Sequence, residues 1–311
     1  MSAPPPRDFR LFWLGQSASS LGDAFAIVAM PLLVFDATRS VVAMGTVTAV
    51  ASAGQVVAGT VSGVIVDRVH RRRLMIACDV LRMALFAALP GLLRLNAAAL
   101  PTICAVTALT AVASNLFSVG YLAAIPNLVE ATEVARANGR LQATNAVTYV
   151  VGSALAGLVC SQVGAPWALE IDAVSFAASA LSLSVIAFRS DGAVRAPTGH
   201  TRALRDGLAF LVRHPVLRPL AIFQSAVALL GSIGVGAAVV DLLIYRLKSD
   251  FGASAATIGA VMALSSVGAV IGAVTASRAH RTISLGAIAV AGTTFQALGM
   301  VAMGLGGNVA M

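Results

Sequence analysis

Charged side chains are scarce in this sequence. Asp, Glu, Lys and Arg make up 11% of its 311 residues, whereas 58% of the residues are hydrophobic. A typical soluble domain carries about 25% charged residues, because its surface has to be hydrated. The low charge content therefore excludes a soluble globular protein and indicates an integral membrane protein.

Lysine, cysteine and catalytic motifs are also rare. The one lysine, Lys248, does not follow a glycine-rich loop, so the chain has no Walker A motif and is not itself an ATPase. Neither HExxH nor GxSxG occurs, which argues against zinc peptidases and serine hydrolases. The three cysteines, Cys78, Cys104 and Cys160, lie inside apolar runs without metal-ligand spacing, so we interpret them as small buried residues. We expect no enzyme, no catalytic residue, no cofactor and no metal site.

Long apolar runs are abundant. Nine of them are close to the ~20 residues that a membrane-spanning helix needs. They cover residues 11–35, 41–66, 74–95, 100–125, 141–163, 167–188, 217–245, 255–276 and about 283–305, with an amphipathic loop at 126–140. We therefore predict an all-α membrane protein whose units are 1–188 (six helices), 189–216 (a linker with an amphipathic helix at 202–212) and 217–311 (about three helices).

The positive charges predict the orientation. With the N-terminus in the cytoplasm, 17 of the 21 Lys and Arg residues lie in or beside inner loops and 4 lie outside. This bias agrees with the positive-inside rule for short loops and places the C-terminus outside. The net charge of +8 is spread over short clusters between spans, so we reject nucleic acid as a partner.

Short sequence matches recur six spans apart. Gln16-Ser-Ala recurs as Gln224-Ser-Ala, and Arg68-Val-His-Arg71 recurs as Arg278-Ala-His-Arg281. Two copies separated by six spans enter the membrane in the same direction. This relation is typical of transporters built from two parallel halves.

The loop between the second and third spans carries the clearest motif. It reads Gly63-Val-Ile-Val-Asp67-Arg68-Val-His70-Arg71-Arg72-Arg73 and resembles the inner-loop signature of the major facilitator superfamily. The stretches Phe9 to Gln16, Pro126 to Val129 and Asp206 to Pro215 resemble one branch, the bacterial macrolide-efflux and enterobactin-exporter-like permeases. Helix 5 carries Gly152-Ser153-Ala-Leu-Ala156-Gly157, which is similar to the Gly-Pro-x-x-Gly-Gly antiporter signature, with Ser153 for the proline and Ala156 for a glycine.

The resemblance implies a fold and a mechanism. The fold has twelve helices in two six-helix bundles, so we expect a complete first bundle, about three helices of the second, and truncation after the ninth helix. The mechanism is secondary transport by alternating access, with Asp67 and its arginines locking the two bundles on the cytoplasmic side. The residues expected in this cytoplasmic gating motif are Gly63, Asp67, Arg68, Arg71, Arg72, Arg73, Asp79 and Arg82. The implied partners are the lipid bilayer, a small amphipathic solute and protons. The oligomeric state stays open, with a monomer as the expectation.

Polar residues inside the spans are the candidates for the transport site, because a charge facing lipid is costly. Asp23, past the centre of helix 1, is the first candidate for a proton-responsive group, and packing between helices is the alternative. Five amides could line the same cavity or join helices by hydrogen bonds: Gln16, Gln55, Asn115, Asn145 and Gln224.

The other acids have simpler interpretations. Asp79 and Arg82, three residues apart, can pair on one helix face, or Arg82 can extend to the interface. Glu170 and Asp172 are expected in the first turn of helix 6, near the outer surface. Asp241 and Asp250, at the outer end of helix 7 or in the loop that follows it, are expected to be solvated.

These features predict an exporter in the plasma membrane of a bacterium. We expect it to move an amphipathic drug-like or siderophore-like solute outward, coupled to protons. Two alternatives remain open: a truncated product that inserts without transporting, and a solute importer of the same fold.

The topology can be tested by cysteine labelling. Single cysteines at Arg39 and at His200, in a chain without native cysteines, should react with an impermeant reagent from opposite sides of the membrane, because the two positions are assigned to an outer and an inner loop. Labelling from the same side would contradict the predicted orientation.

Overall fold

The computed structural model of the chain is helical. It describes residues 6–95, 99–186, 209–215, 217–219, 221–223 and 236–279, together with positions 287, 290–292, 294–295 and 298. Within these residues there is no β-strand. The predicted all-α membrane fold is confirmed.

Six of the helices are long and apolar enough to cross a membrane. They are α1 (Arg7–Thr38), α2 (Val41–Arg68), α3 (Arg71–Leu95), α4 (Ala99–Ala124), α5 (Val134–Gln162) and α6 (Ala165–Val185). Two more helices follow, α7 (Gly236–Ser249) and α8 (Ala255–Ala279). The predicted ninth span and most of the predicted amphipathic linker helix lie outside the described residues.

The prediction of a loop at 126–140 is wrong for its second half, which is helical. Two short 3-10 helices, Ile125–Asn127 and Ala131–Glu133, are followed at once by α5, which begins at Val134. The polar residues in the first turns of α5 lowered the local hydropathy without preventing a helix. Arg136 and Glu133, three residues apart, form an exposed ion pair there, with a distance of 2.7 Å from Nη1 to Oε1.

The turn between α2 and α3 is as short as its sequence indicates, because only Val69 and His70 separate the two helices. Arg72 in the first turn of α3 reaches α6, where its Nε donates to the carbonyl oxygen of Leu183 at 2.8 Å and its Nη2 donates to that of Ser184. These carbonyl groups lie in the last turn of α6, where backbone acceptors lack helical partners and a cation is favoured. Arg72 therefore caps α6.

This end of the bundle also holds most of the arginines of the first six helices. We call it the basic end and define it by Arg7, Arg10, Arg68, Arg71, Arg72, Arg73, Arg136 and Arg140. The other end, which holds Thr38 and Val41, is called the far end.

Small residues let α1 and α6 approach closely. A Cβ atom on Gly15 would overlap the side chain of Ser182, and one on Gly22 would overlap Ser175 and Asp172. Close approach through small residues is the usual way in which helices associate in a membrane, where lipid offers no hydrophobic driving force. The same contact brings Asp172 of α6 beside the part of α1 that carries Asp23.

A second close contact joins α5 to α8. The antiporter-like segment of α5 provides Gly157, whose added Cβ would lie 2.7 Å from the Cα of Gly259. A Cβ on Gly259 would lie 2.6 Å from the carbonyl oxygen of Ser153. Backbone therefore packs directly on backbone, and this contact attaches α8 to the first six helices.

Substitution of the α8 glycines tests this contact. Gly259→Ala is expected to lower the free energy of unfolding by about 1–3 kcal/mol, because the new methyl group meets backbone atoms that cannot move cheaply. Gly268→Ala, on the same helix, is the matched control, because no described residue outside that turn of the helix has an atom within 4 Å of the added Cβ. It should leave stability unchanged or raise it by up to about 1 kcal/mol through better helix propensity. Thermal unfolding in detergent measures both, and equal effects would contradict the packing.

Candidate functional site

A cavity of about 460 Å³ lies among the first six helices. We call it the central cavity. Its polar lining residues are Gln16, Ser19, Ser20, Asp23, Gln55, Arg82, Thr110, Ser114, Ser118, Asn145 and Asp172. Its aromatic lining residues are Phe86, Phe117, Tyr121, Tyr149 and Phe176. The cavity therefore combines ionisable groups with rings inside the apolar part of the bundle.

Arg82 is the centre of this arrangement. It is 3% exposed and forms an ion pair with Asp79 one turn earlier on α3. Its guanidinium carbon lies 4.6 Å from the ring centroid of Phe117 and 4.1 Å from that of Phe176. Both distances are within the range of cation–π attraction. The pairing with Asp79 matches the prediction from their spacing, and the alternative in which Arg82 extends to the interface is wrong.

Three carboxyl groups lie around this one guanidinium. Arg82 is ion-paired with Asp79 of α3 and lines the central cavity together with Asp23 of α1 and Asp172 of α6. Asp79 and Asp172 have no exposed surface, whereas Asp23 is only partly buried and lines the cavity. Among the described residues, Oδ2 of Asp79 and Oδ2 of Asp172 have no hydrogen-bond partner. Nε of Arg82 also has no partner there, but three ionised carboxyl groups would carry more negative charge than one guanidinium can balance.

The placement of Asp172 differs from the prediction. Helix α6 begins at Ala165, so neither Glu170 nor Asp172 lies in its first turn. Asp172 instead faces α1, and its Oδ1 accepts a hydrogen bond of 3.0 Å from Ser175. The signal that could have found it is its position within an apolar run, because an acid there needs an interior partner.

Hydrogen bonds hold two of the predicted amides in place. Gln16 Nε2 donates to Ser179 Oγ at 2.9 Å and joins α1 to α6. Asn145 Oδ1 accepts from Ser20 Oγ at 2.9 Å and joins α5 to α1. Both amides also line the central cavity, so the structure unites the two roles that the sequence left as alternatives.

The remaining predicted residues divide into three groups. Gln55 lines the central cavity, whereas Asn115 is not among its lining residues and has its amide nitrogen 3.9 Å from a Cβ built on Gly59 of α2. Gln224 and the side chain of Asp67 lie outside what the structure describes. The motif residues Gly63, Arg68, Arg71 and Arg73 lie at the basic end, away from the central cavity.

A second cavity of about 380 Å³ lies toward the far end. We call it the far cavity. The two cavities share six lining residues: Ala26, Ile27, Gln55, Phe86, Thr110 and Ser114. The far cavity also reaches Asp241 of α7, which is 5% exposed and accepts a 2.5 Å hydrogen bond from Thr48 Oγ1. The prediction that Asp241 is solvated is wrong, because α7 continues to Ser249 and leaves Asp241 two turns inside the helix.

A path of polar groups thus runs through a multi-helix bundle, with carboxyl groups contributed by α1, α3, α6 and α7. Among the described residues there is no group of three or more His, Cys, Asp or Glu suited to a metal ion.

A protein-family model described as the Major Facilitator Superfamily matches residues 12–311. The chain belongs to the Major Facilitator Superfamily. This is a family of transporters, not of enzymes.

Individual relatives agree with the family. The multidrug efflux pump Tap of Mycobacterium tuberculosis and of Mycobacterium bovis is 29% identical over 223 residues, which are 68% of this chain and 52% of Tap. An uncharacterized MFS-type transporter of Sinorhizobium fredii is 31% identical over 125 residues, which are 40% of this chain and 31% of that protein. The chain spans about half the length of Tap. The relatives are bacterial membrane transporters.

A solved structure shares the fold. The crystal structure of a D-xylose-proton symporter matches with a TM-score of 0.60 at 14% identity, covering 88% of this chain and 69% of that chain. At this low identity, the match shows that the two proteins share the arrangement of their helices. With six apolar helices, the chain is a multi-pass membrane protein.

Removing Arg82 tests the charge balance of the central cavity. Arg82→Ala is expected to lower the free energy of unfolding by about 3–5 kcal/mol, because it leaves a buried carboxylate without its counter-ion. Arg94→Ala, at the exposed end of the same helix, is the matched control and should change little. Adding Asp79→Asn to Arg82→Ala should recover part of the loss. Equal unfolding temperatures for the two arginine variants in detergent would contradict the account.

Proposed function

We propose that this protein is a secondary exporter that moves an amphipathic drug-like or siderophore-like solute out of a bacterial cell by alternating access, coupled to protons. One observation carries the proposal: Arg82, Asp23 and Asp172 line a cavity inside the helix bundle, and Asp79 is ion-paired with Arg82 behind its wall. Ionisable groups are costly there and mark ion or substrate pathways.

Charge balance supports the coupling to protons. One guanidinium compensates one carboxylate, so full ionisation of Asp23, Asp79 and Asp172 would leave two negative charges without counter-ions. Protons or a cationic solute supply the missing charge, and binding of one disfavours binding of the other. Asp23 is our proposed exchange group, because it is the most exposed of the three and lines the cavity.

The character of the lining supports an amphipathic solute. Aromatic rings from α3, α4, α5 and α6 offer an apolar surface, and Gln16, Gln55 and Asn145 offer hydrogen bonds. Ligand sites commonly combine a mostly apolar wall with a few fixed polar groups. The similarity to Tap, a multidrug efflux pump, supports the same solute class. We place the chain in the macrolide-efflux and enterobactin-exporter-like branch on the motifs given above.

The remaining features form part of the same proposal. We assign the basic end to the cytoplasmic side of the plasma membrane. We also propose that residues 1–188 form the first bundle, residues 189–216 the linker and residues 217–311 the second bundle. We propose that Gly63, Asp67, Arg68, Arg71 and Arg73 close the cytoplasmic side. Arg72 supports that closure by holding the end of α6, from which the linker departs. Gly152, Ser153 and Gly157 hold α5 against its neighbours during the change of state.

Replacement of Asp23 tests the proposal. In a pump-deficient host that expresses the protein, Asp23→Asn should abolish proton-dependent efflux of a dye or a macrolide, because the exchange group can no longer ionise. Asp36→Asn, an exposed acid at the end of the same helix, is the control and should transport like the parent. Unchanged drug susceptibility in cells with Asp23→Asn would remove Asp23 from the mechanism.

A further inference from the structure

The far cavity contains a carboxylate that the proposed proton exchange does not use. Its lining is mainly aliphatic and aromatic, and Asp241 is the one ionisable side chain among its lining residues. Arg82 lines the central cavity beside Asp23 and Asp172, whereas the residues that line the far cavity with Asp241 include no Arg, Lys or His.

Asp241 is buried without a counter-ion. Its side chain accepts from Thr48, and in the part of the chain that the structure describes no Arg, Lys or His forms an ion pair with it. An ionised carboxylate in apolar surroundings is unfavourable unless it is paired or neutralised. A single neutral hydroxyl donor compensates only a fraction of that cost. Within the described residues, the site therefore offers no positive group to this carboxylate.

Two further polar atoms at this cavity make no hydrogen bond within the described residues. The hydroxyl oxygens of Thr107 and Thr110 on α4 are buried and have no hydrogen-bond partner among the described residues. Buried hydroxyl groups are normally hydrogen-bonded, so such exceptions indicate an absent partner. Met30, Val47, Phe86 and Val240 supply the apolar wall beside them. A cation with an apolar body and polar substituents matches this combination.

We propose that the far cavity is a binding subsite for an organic cation, with Asp241 pairing its positive group and the hydroxyl groups of Thr107 and Thr110 contacting its polar substituents. Thr48 holds the carboxylate while the subsite is empty and releases it when the cation arrives. The inference rests on the proposed export function and adds to it a second site, separate from the Arg82 cluster, that recognises a positively charged solute.

The location gives the subsite a mechanical consequence. The bond from Thr48 to Asp241 is the one side-chain hydrogen bond between α1–α6 and α7–α8 within the described residues. Phe35 of α1 and Tyr245 of α7 pack edge to face one turn away, with ring centroids 5.8 Å apart. A cation that takes Asp241 from Thr48 removes this link between α2 and α7 at the far end.

Binding of two dyes to the purified chain in lipid nanodiscs tests the subsite. Ethidium is a permanent cation and Nile red is uncharged, and fluorescence titration measures both without a proton gradient. Asp241→Asn should weaken ethidium binding by about tenfold or more, since it removes a charge-assisted contact. Nile red binding should change by no more than about twofold, because the neutral dye makes no ion pair.

Control variants separate charge recognition from structural support. Asp241→Glu should retain most of the ethidium affinity, and Asp250→Asn, an exposed acid beyond the end of α7, should bind like the parent. Thr48→Val should bind ethidium as tightly as the parent or more tightly, because it removes a competitor for the carboxylate. Two results would contradict the proposed subsite. One is an equal loss of ethidium affinity in Thr48→Val and Asp241→Asn, and the other is an Asp241→Asn variant that binds both dyes like the parent.

The two proposals fail separately. Equal ethidium binding by the parent and Asp241→Asn overturns the subsite and leaves proton-coupled export through Asp23 intact. Unchanged export by Asp23→Asn, combined with loss of ethidium binding in Asp241→Asn, overturns the role of Asp23 and supports the subsite.

Discussion

The buried guanidinium of Arg82 is the interaction on which the first six helices depend. A charge in the membrane interior is tolerated only with a partner, and Arg82 has an ion pair with Asp79 and the faces of Phe117 and Phe176. To reach these partners, α3 has to lie against both α4 and α6. The glycines of α1 then let α6 approach far enough to add Asp172 beside Asp23. One cation thus sets the packing of four helices and leaves an excess of acid in the cavity between them.

Much of the fold could be predicted from hydropathy, because the bilayer demands long apolar helices whatever their order of packing. The first six spans and α8 lie where the apolar runs indicated, and the family follows from the loop motif. Boundaries were less predictable. Helix α5 begins earlier than its apolar run because its first turns are polar, and α6 begins at Ala165, two residues before its predicted span. A helix beginning with proline is common, since its missing N–H costs nothing there.

The site was predictable only where its residues are close in sequence. Asp79 and Arg82 follow from a spacing of three on one helix. The association of Asp172 with them depends on contacts across about ninety residues, and no local pattern contains that information. Asp241 shows the same limit: its burial depends on Thr48 of another helix and on where α7 ends. Both acids did carry one usable signal, their position within apolar runs, where a solvated carboxylate is not expected.

The two cavities share part of their lining and differ in their electrostatics: one guanidinium balances part of the acid around Arg82, whereas Asp241 has no counter-ion among the described residues. The central claim of the proposal is that protons and solute compete for the carboxyl groups around Arg82. Solute-induced proton release tests it most directly, using the purified transporter in weakly buffered detergent solution with a pH indicator. The account predicts that adding a solute that the protein binds releases protons into the solution. Binding without any release of protons would contradict it.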